Sequence, residues 1–298
     1  MGSAAFSRMG HPKVITDEYR FYLLRKRIAE DLILAAFRGL RSHGIEPILI
    51  KGWAAARNYP ASMPRFFGDN DLAVSEADYD AAKKLISAGP DIAGIDLHRE
   101  LHHLDTLSWK TLIANSEVVR LDGENIRILC TEDHLRVLCV HWLTDGGERR
   151  ERLWDIVYAV RNRPNDFDWS KCLDVVSETR RQWIITSIGL AHKYLGLELE
   201  GLPFADEARN LPAWLTRYLE KEWARNLELR PLHVQLNSPV NLLRQVMKRI
   251  PPNPIQATIN CEGDFRSRTR VGYQIRDMFN RLIPSIKRIS TTLVEKSQ

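Results

Sequence analysis

The pattern of apolar and polar positions changes character near residue 130. Before that point, short apolar runs alternate with helical stretches; after it, apolar positions recur at helical spacing. The first helix is predicted from an N-cap at Thr16, with Asp17 and Glu18 in its first turn. Phe21, Leu24, Ile28, Leu32, Ala35 and Ala36 form its apolar stripe, and Gly44 stops it. Residues 48–51 read as a first core strand, 53–58 as a short helix and 69–74 as a second strand. A helix over 76–88 follows, with Ser75 as cap and Gly89-Pro90 as stop. Residues 92–98 read as a third strand, and 117–121 with 126–129 as a hairpin across Asp122-Gly123-Glu124-Asn125.

Helices are predicted over 131–143, 149–161, from a cap near Asp168, and over 180–195, 213–227, 240–250 and 271–289. Pro251-Pro252-Asn253-Pro254 breaks the chain before the last of these. The fold class is therefore α/β (α+β): a mixed sheet with flanking helices, followed by an all-helical C-terminal half. The expected division is 1–130 and 131–298. A cleft bordered by helices fits this order, because binding clefts favour such junctions.

The candidate chemistry is concentrated in residues 48–74, ILIKGWAAARNYPASMPRFFGDNDLAV. Side chains alternate along a strand, so Asp69 and Asp71 are predicted on one face, about 7 Å apart along the chain. Like charges held that close are costly without a cation between them. A turn whose two Asp residues cap the next strand reads the same in isolation. The upstream half changes the balance: a strand ending in Lys51-Gly52 and opening a helix offers backbone N–H groups suited to phosphate. Together they read as a metal site beside a phosphate site.

With these residues in place, the chain resembles the uncharacterised nucleotidyltransferase family of the DNA polymerase β-like superfamily. The residues that carry the resemblance are Lys51-Gly52, Tyr59-Pro60, Arg65 and Gly68-Asp69-Asn70-Asp71. Asp96-Leu97-His98, His141 and Leu153-Trp154-Asp155 extend it, over roughly residues 16–199. Lys-Gly stands where many superfamily members have Gly-Gly or Gly-Ser, and Asn70 replaces an apolar residue. Neither departure removes a ligand, since position 70 faces away from Asp69 and Asp71.

The resemblance implies a Mg²⁺-dependent transfer of a nucleoside monophosphate from an NTP to a hydroxyl acceptor, with release of pyrophosphate. A two-metal site would use Asp69 and Asp71 as ligands and Asp96 as third carboxylate or base. His98 shares the Asp96 face and would contact substrate or phosphate; Glu100 and the His102-His103 pair are the alternatives at this edge. Lys51, Gly52, Arg65 and Gly68 would bind the nucleotide, Lys51 as a point charge and Arg65 through a bidentate contact. Either cation could instead pair with an aspartate of the site and balance it without nucleotide. Relief of repulsion between the carboxylates implies that Asp71→Asn leaves apo stability unchanged or raised. His141, Trp142 and Trp154 read as core, and Asp155 either pairs with Arg149 or Arg150 or points into the cleft. The acceptor is a small molecule, a peptide or a protein. Rival readings are a phosphotransferase or ribosomal-peptide tailoring enzyme on the same fold, and a non-catalytic nucleotide-binding module.

Composition narrows the setting. The chain has 298 residues, 44% hydrophobic and 27% charged, which is ordinary globular material. No apolar run reaches transmembrane length, and no secretory leader or membrane partner is expected. Cys130, Cys139, Cys172 and Cys261 lack the spacing of a zinc site or disulfide frame, so the expected compartment is the cytoplasm. From Asn241 onward, eleven Lys or Arg face four Asp or Glu, so the net +5 belongs to the C-terminal segment. Such a segment suits an acidic peptide or a phosphate-rich donor, or is simply a solvated helix face; nucleic acid is not the expected partner.

Overall fold

The computed structural model describes residues 17–67, 70–89, 94–225 and 250–280. The Thr16 cap, Glu18's side chain, Gly68, Asp69 and nearly all of the helix predicted over 240–250 lie outside the described residues. Five strands form one mixed sheet in the order β3-β2-β1-β5-β4. They are β1 (Ile48–Leu49), β2 (Asn70–Val74), β3 (Ile95–Arg99), β4 (Glu117–Leu121) and β5 (Glu124–Ile128). The central β1 runs antiparallel to β2 and parallel to β5, while β2 and β3 run parallel. In the β4–β5 hairpin the predicted four-residue connection is a two-residue turn. Asp122 (φ 47°) and Gly123 (φ 86°) both take left-handed backbone, the requirement of a tight turn matched to strand twist.

Strand alternation sends the two faces of the sheet into two cores. Leu49, Leu72 and Val74 pack against Ile33, Phe37 and Leu40 of the long helix α1 (Asp17–Arg41). Ile48, Ile50 and Ala73 face the other way, into a core shared with the helices after residue 130. Asp71 is in phase with Ala73 and so points to that second face. Asn70 points to α1 instead and donates to the Ala29 carbonyl at 3.0 Å. Around the sheet lie α2 (Trp53–Ala56), α3 (Tyr79–Ala88) and α4 (Trp109–Asn115). Helix α3 starts later than its Ser75 signal suggested. Ser75 and Asp78 hydrogen-bond each other in a preceding turn, and that turn takes up the polar groups that would have capped a longer helix.

The later part is helical: α5 (Thr131–Thr144), α6 (Leu153–Arg161) after a 3-10 turn at Arg150–Arg152, α7 (Trp169–Leu173), α8 (Glu178–Leu195), α9 (Ala205–Arg209) and α10 (Ala213–Arg225). Asp168 caps α7 by accepting from the N–H groups of Ser170 and Lys171. Ser177 caps α8, and Gly196 ends it at φ 69°. Gly189 sits where α8 meets α9; a Cβ there would lie 2.1 Å from the Ala208 carbonyl oxygen. The proline cluster does more than break the chain: Asn253 caps α11 (Pro254–Asn260), with Pro254 in the first turn. The chain is helical again over 271–280. At the end of α5, Gln256 donates to the Thr144 carbonyl, Asn253 to that of Gly146 and Trp223 to that of Gly147.

Candidate active site

Asp71 and Asp96 are direct partners in the register of the parallel β2–β3 pair, and Ala73 partners His98. The pairing brings Asp71, Asp96 and His98 to one face. One potential ligand atom from each lies within 4.8 Å of the other two. His98 Nε2 is 3.0 Å from Asp71 Oδ1 and 3.6 Å from Asp96 Oδ2. Asp71 is buried, whereas the Asp96 side chain is 66% exposed, so the cluster opens from the sheet toward solvent. The two carboxylates can hold a divalent cation, and the imidazole can join them only through a ring nitrogen that carries no proton.

Lys51 completes the group. It follows β1, and the Ile50 N–H donates to the Asp71 carbonyl at 3.0 Å, which fixes the two strands side by side. Its ammonium nitrogen lies 2.8 Å from Asp71 Oδ1, the oxygen that also meets His98. Burial works against the Asp71 carboxylate, but the His98 hydrogen bond and Lys51 charge outweigh it and hold its pKa down at about 2. An ionised carboxylate can only accept, so His98 Nε2 carries the proton in this contact. After Lys51 the chain turns at Gly52, whose φ of 62° and ψ of −112° suit glycine. Helix α2 is a single turn of four residues, so little macrodipole stands behind Gly52.

Residues 13–89 and 90–196 match the family model described as uncharacterised nucleotidyltransferase. The chain belongs to that family. No match was found among curated proteins or among solved structures. Membership implies nucleotidyl transfer as the class of chemistry and a nucleoside triphosphate as a substrate. No helix of the described residues is long and apolar enough to cross a membrane.

Within this nucleotidyltransferase fold, Arg65 has a partner that local pattern did not reveal. Its Nε and one terminal nitrogen donate to Asp155 at 2.6 and 2.8 Å, and its other terminal nitrogen reaches the Gly52 carbonyl at 3.3 Å. Tyr59 donates its hydroxyl to the same Asp155 oxygen at 2.6 Å. The fork expected to clasp phosphate is thus directed at helix α6, and Asp155 pairs with neither Arg149 nor Arg150. Burial disfavours the Asp155 anion, yet Arg65 and Tyr59 hold its pKa below the usual range. The Tyr59-Pro60, Arg65 and Trp154-Asp155 segments were all visible as motifs; their joint presence was the available signal for this contact.

Two histidines of α5 flank these groups. Burial first, and then the nearby Lys51 charge, lower His141 to about 4. His134 is likewise held at about 4 by burial, with the Asp155 charge opposing, and its Nε2 has no hydrogen-bond partner among the described residues. Trp142 is core, as expected, and donates to the Arg149 carbonyl. At the far end of β3, Glu100 and His102 adopt left-handed backbone; the Glu100 side chain turns back to the Glu76 N–H.

Proposed function

We propose that this protein is a Mg²⁺-dependent nucleotidyltransferase that moves a nucleoside monophosphate from an NTP to a hydroxyl acceptor and releases pyrophosphate. The observation that carries this reading is the Asp71–Asp96–His98 cluster set beside Lys51 at the Lys51-Gly52 turn. Asp71 and Asp96, with Asp69 from the same strand motif, would hold the divalent ions. When bound, these ions neutralise phosphate charge and lower the pKa of a coordinated hydroxyl. His98 aims the Asp71 carboxylate through its Nε2 proton. Lys51 supplies a point charge for triphosphate oxygens, and Gly52 and Gly68 allow close backbone approach. Asp96, open to solvent, would complete the metal site or take the proton of the attacking hydroxyl. The acceptor belongs among small molecules, peptides or proteins.

Isothermal titration with Mg-ATP and Mg-GTP tests the donor, with saturable binding of at least one expected. Folded protein that binds no NTP overturns the reading. Mass spectrometry of an acceptor then separates a nucleotide adduct, which supports it, from an added phosphate, which assigns a phosphotransferase instead.

A further inference from the structure

The proposed metal site already holds a cation of its own. Asp71 Oδ1 receives the Lys51 ammonium at 2.8 Å and the His98 Nε2 at 3.0 Å. Lys51 is buried, and among the described residues Asp71 is the carboxylate it pairs with. A Mg²⁺ ion bound to that oxygen would sit about 2.1 Å from it. By the triangle of distances, the ion would then lie within about 5 Å of the ammonium nitrogen. A dication and an ammonium that close, partly removed from water, repel strongly. An ion on Oδ1 therefore competes with the lysine for that oxygen.

Leaving without compensation would strand a buried charge, which is costly. A triphosphate supplies the compensation. Its oxygens offer Lys51 a new anionic partner while its bound metal takes over the carboxylate. We infer that Lys51 makes this site selective for the metal–triphosphate complex: free divalent ion is excluded by the resident ammonium, and the complex is admitted by an exchange of partners. Lys51 thereby acts on the chemical form of the donor as well as on its phosphates. The inference rests on the nucleotidyltransferase reading for the identity of the anionic partner, and on Asp71–Lys51 geometry for the competition.

The test measures Mn²⁺ affinity and Mg-ATP and Mg-GTP affinity separately, by titration calorimetry on the full chain. Lys51→Met removes the charge, Lys51→Gln keeps a donor toward Asp71 for folding, and Lys51→Arg keeps the charge. In the two neutral variants, Mn²⁺ without nucleotide is expected to bind at least about tenfold more tightly, a modest part of what one nearby unit charge exerts. The metal–triphosphate complex is expected to bind at least about tenfold more weakly, and Lys51→Arg to keep the weak Mn²⁺ binding of the wild type. A lysine that only contacts phosphate would weaken nucleotide binding with Mn²⁺ affinity unchanged, and that result overturns the inference. A lysine that only balances Asp71 would tighten Mn²⁺ with nucleotide affinity unchanged, which overturns it equally. Failure of the wild-type chain to bind any NTP is a different result: it removes the reading beneath the inference.

Discussion

The Arg65–Asp155 pair offers a quantitative handle on what holds the site's loop. Asp155 accepts three hydrogen bonds, two from Arg65 and one from Tyr59, and the two charged side chains are 14% and 8% exposed. Asp155→Leu leaves the Arg65 guanidinium buried with, among the described residues, only the Gly52 carbonyl as a hydrogen-bond partner. Breaking a buried pair by removing one partner costs about 3–5 kcal/mol. At roughly 2–4 °C per kcal/mol for a chain of this size, the melting temperature should fall by about 10 °C. Arg65→Met should cost a similar amount by stranding the Asp155 anion. The double variant should cost far less than the two singles together, because apolar side chains can replace a buried pair with little penalty. Tyr59→Phe, which leaves the pair intact, should cost about 1.5–3 kcal/mol, the range for hydrogen bonds to charged groups. Urea unfolding followed by tryptophan fluorescence at pH 7 measures all four. If the single costs add within about 0.5 kcal/mol in the double variant, the pair is not coupled and the reasoning fails.

Four further outcomes follow from the structure. Asp71→Asn should abolish Mg²⁺-dependent NTP turnover and also lower stability by about 1–3 kcal/mol, since Lys51 loses its buried partner; undiminished turnover in a folded variant would contradict the proposed site. The folded Asp71 carboxyl sits at about 2 against an ordinary 3.8, so its stabilisation is complete above about pH 4 and disappears as pH falls toward 2, and acid titration of the Asn variant should lack this component. His134 is held at about 4 instead of 6.5, so its contribution is present above pH 6.5 and is lost as pH falls toward 4, at up to about 1.4 kcal/mol per pH unit; an unchanged slope in His134→Leu would refute this. Gly189→Ala should destabilise by about 1–3 kcal/mol through the clash with the Ala208 carbonyl, read as a lower urea midpoint, and a neutral effect would mean that α9 shifts freely.

Much of this molecule was legible in local pattern because local pattern carries it. Period-two alternation put Asp96 and His98 on one face and turned Asn70 away from Asp71, and the strands bear this arrangement. The cap at Asp168 is encoded within a few residues of the helix it serves. What escaped was held by distance. Arg65 and Asp155 are 90 positions apart, and nothing local distinguishes a guanidinium awaiting phosphate from one committed to a carboxylate. The expectation for Asp71→Asn rested on repulsion between the carboxylates alone, whereas the Lys51–Asp71 pair, the alternative the sequence left open, argues for the opposite sign. The proline cluster misled in a different way. Prolines that break one helix are good first-turn residues for another, and Asn253 supplies the cap.

The three carbonyls that close α5 point to a limit of kinship as a guide to construction. Thr144, Gly146 and Gly147 lie inside the region shared with the family, but Gln256, Asn253 and Trp223, which satisfy them, lie beyond its end at residue 196. Helix ends without partners fray, and this end follows His141 by about one turn. The inherited part of the molecule is thus shaped by a part that the family pattern does not describe. A relative with a different downstream segment would keep every motif residue and lack these three bonds to the end of α5. A chain cut at the border of the shared region would carry every motif residue and leave these three carbonyls without those donors.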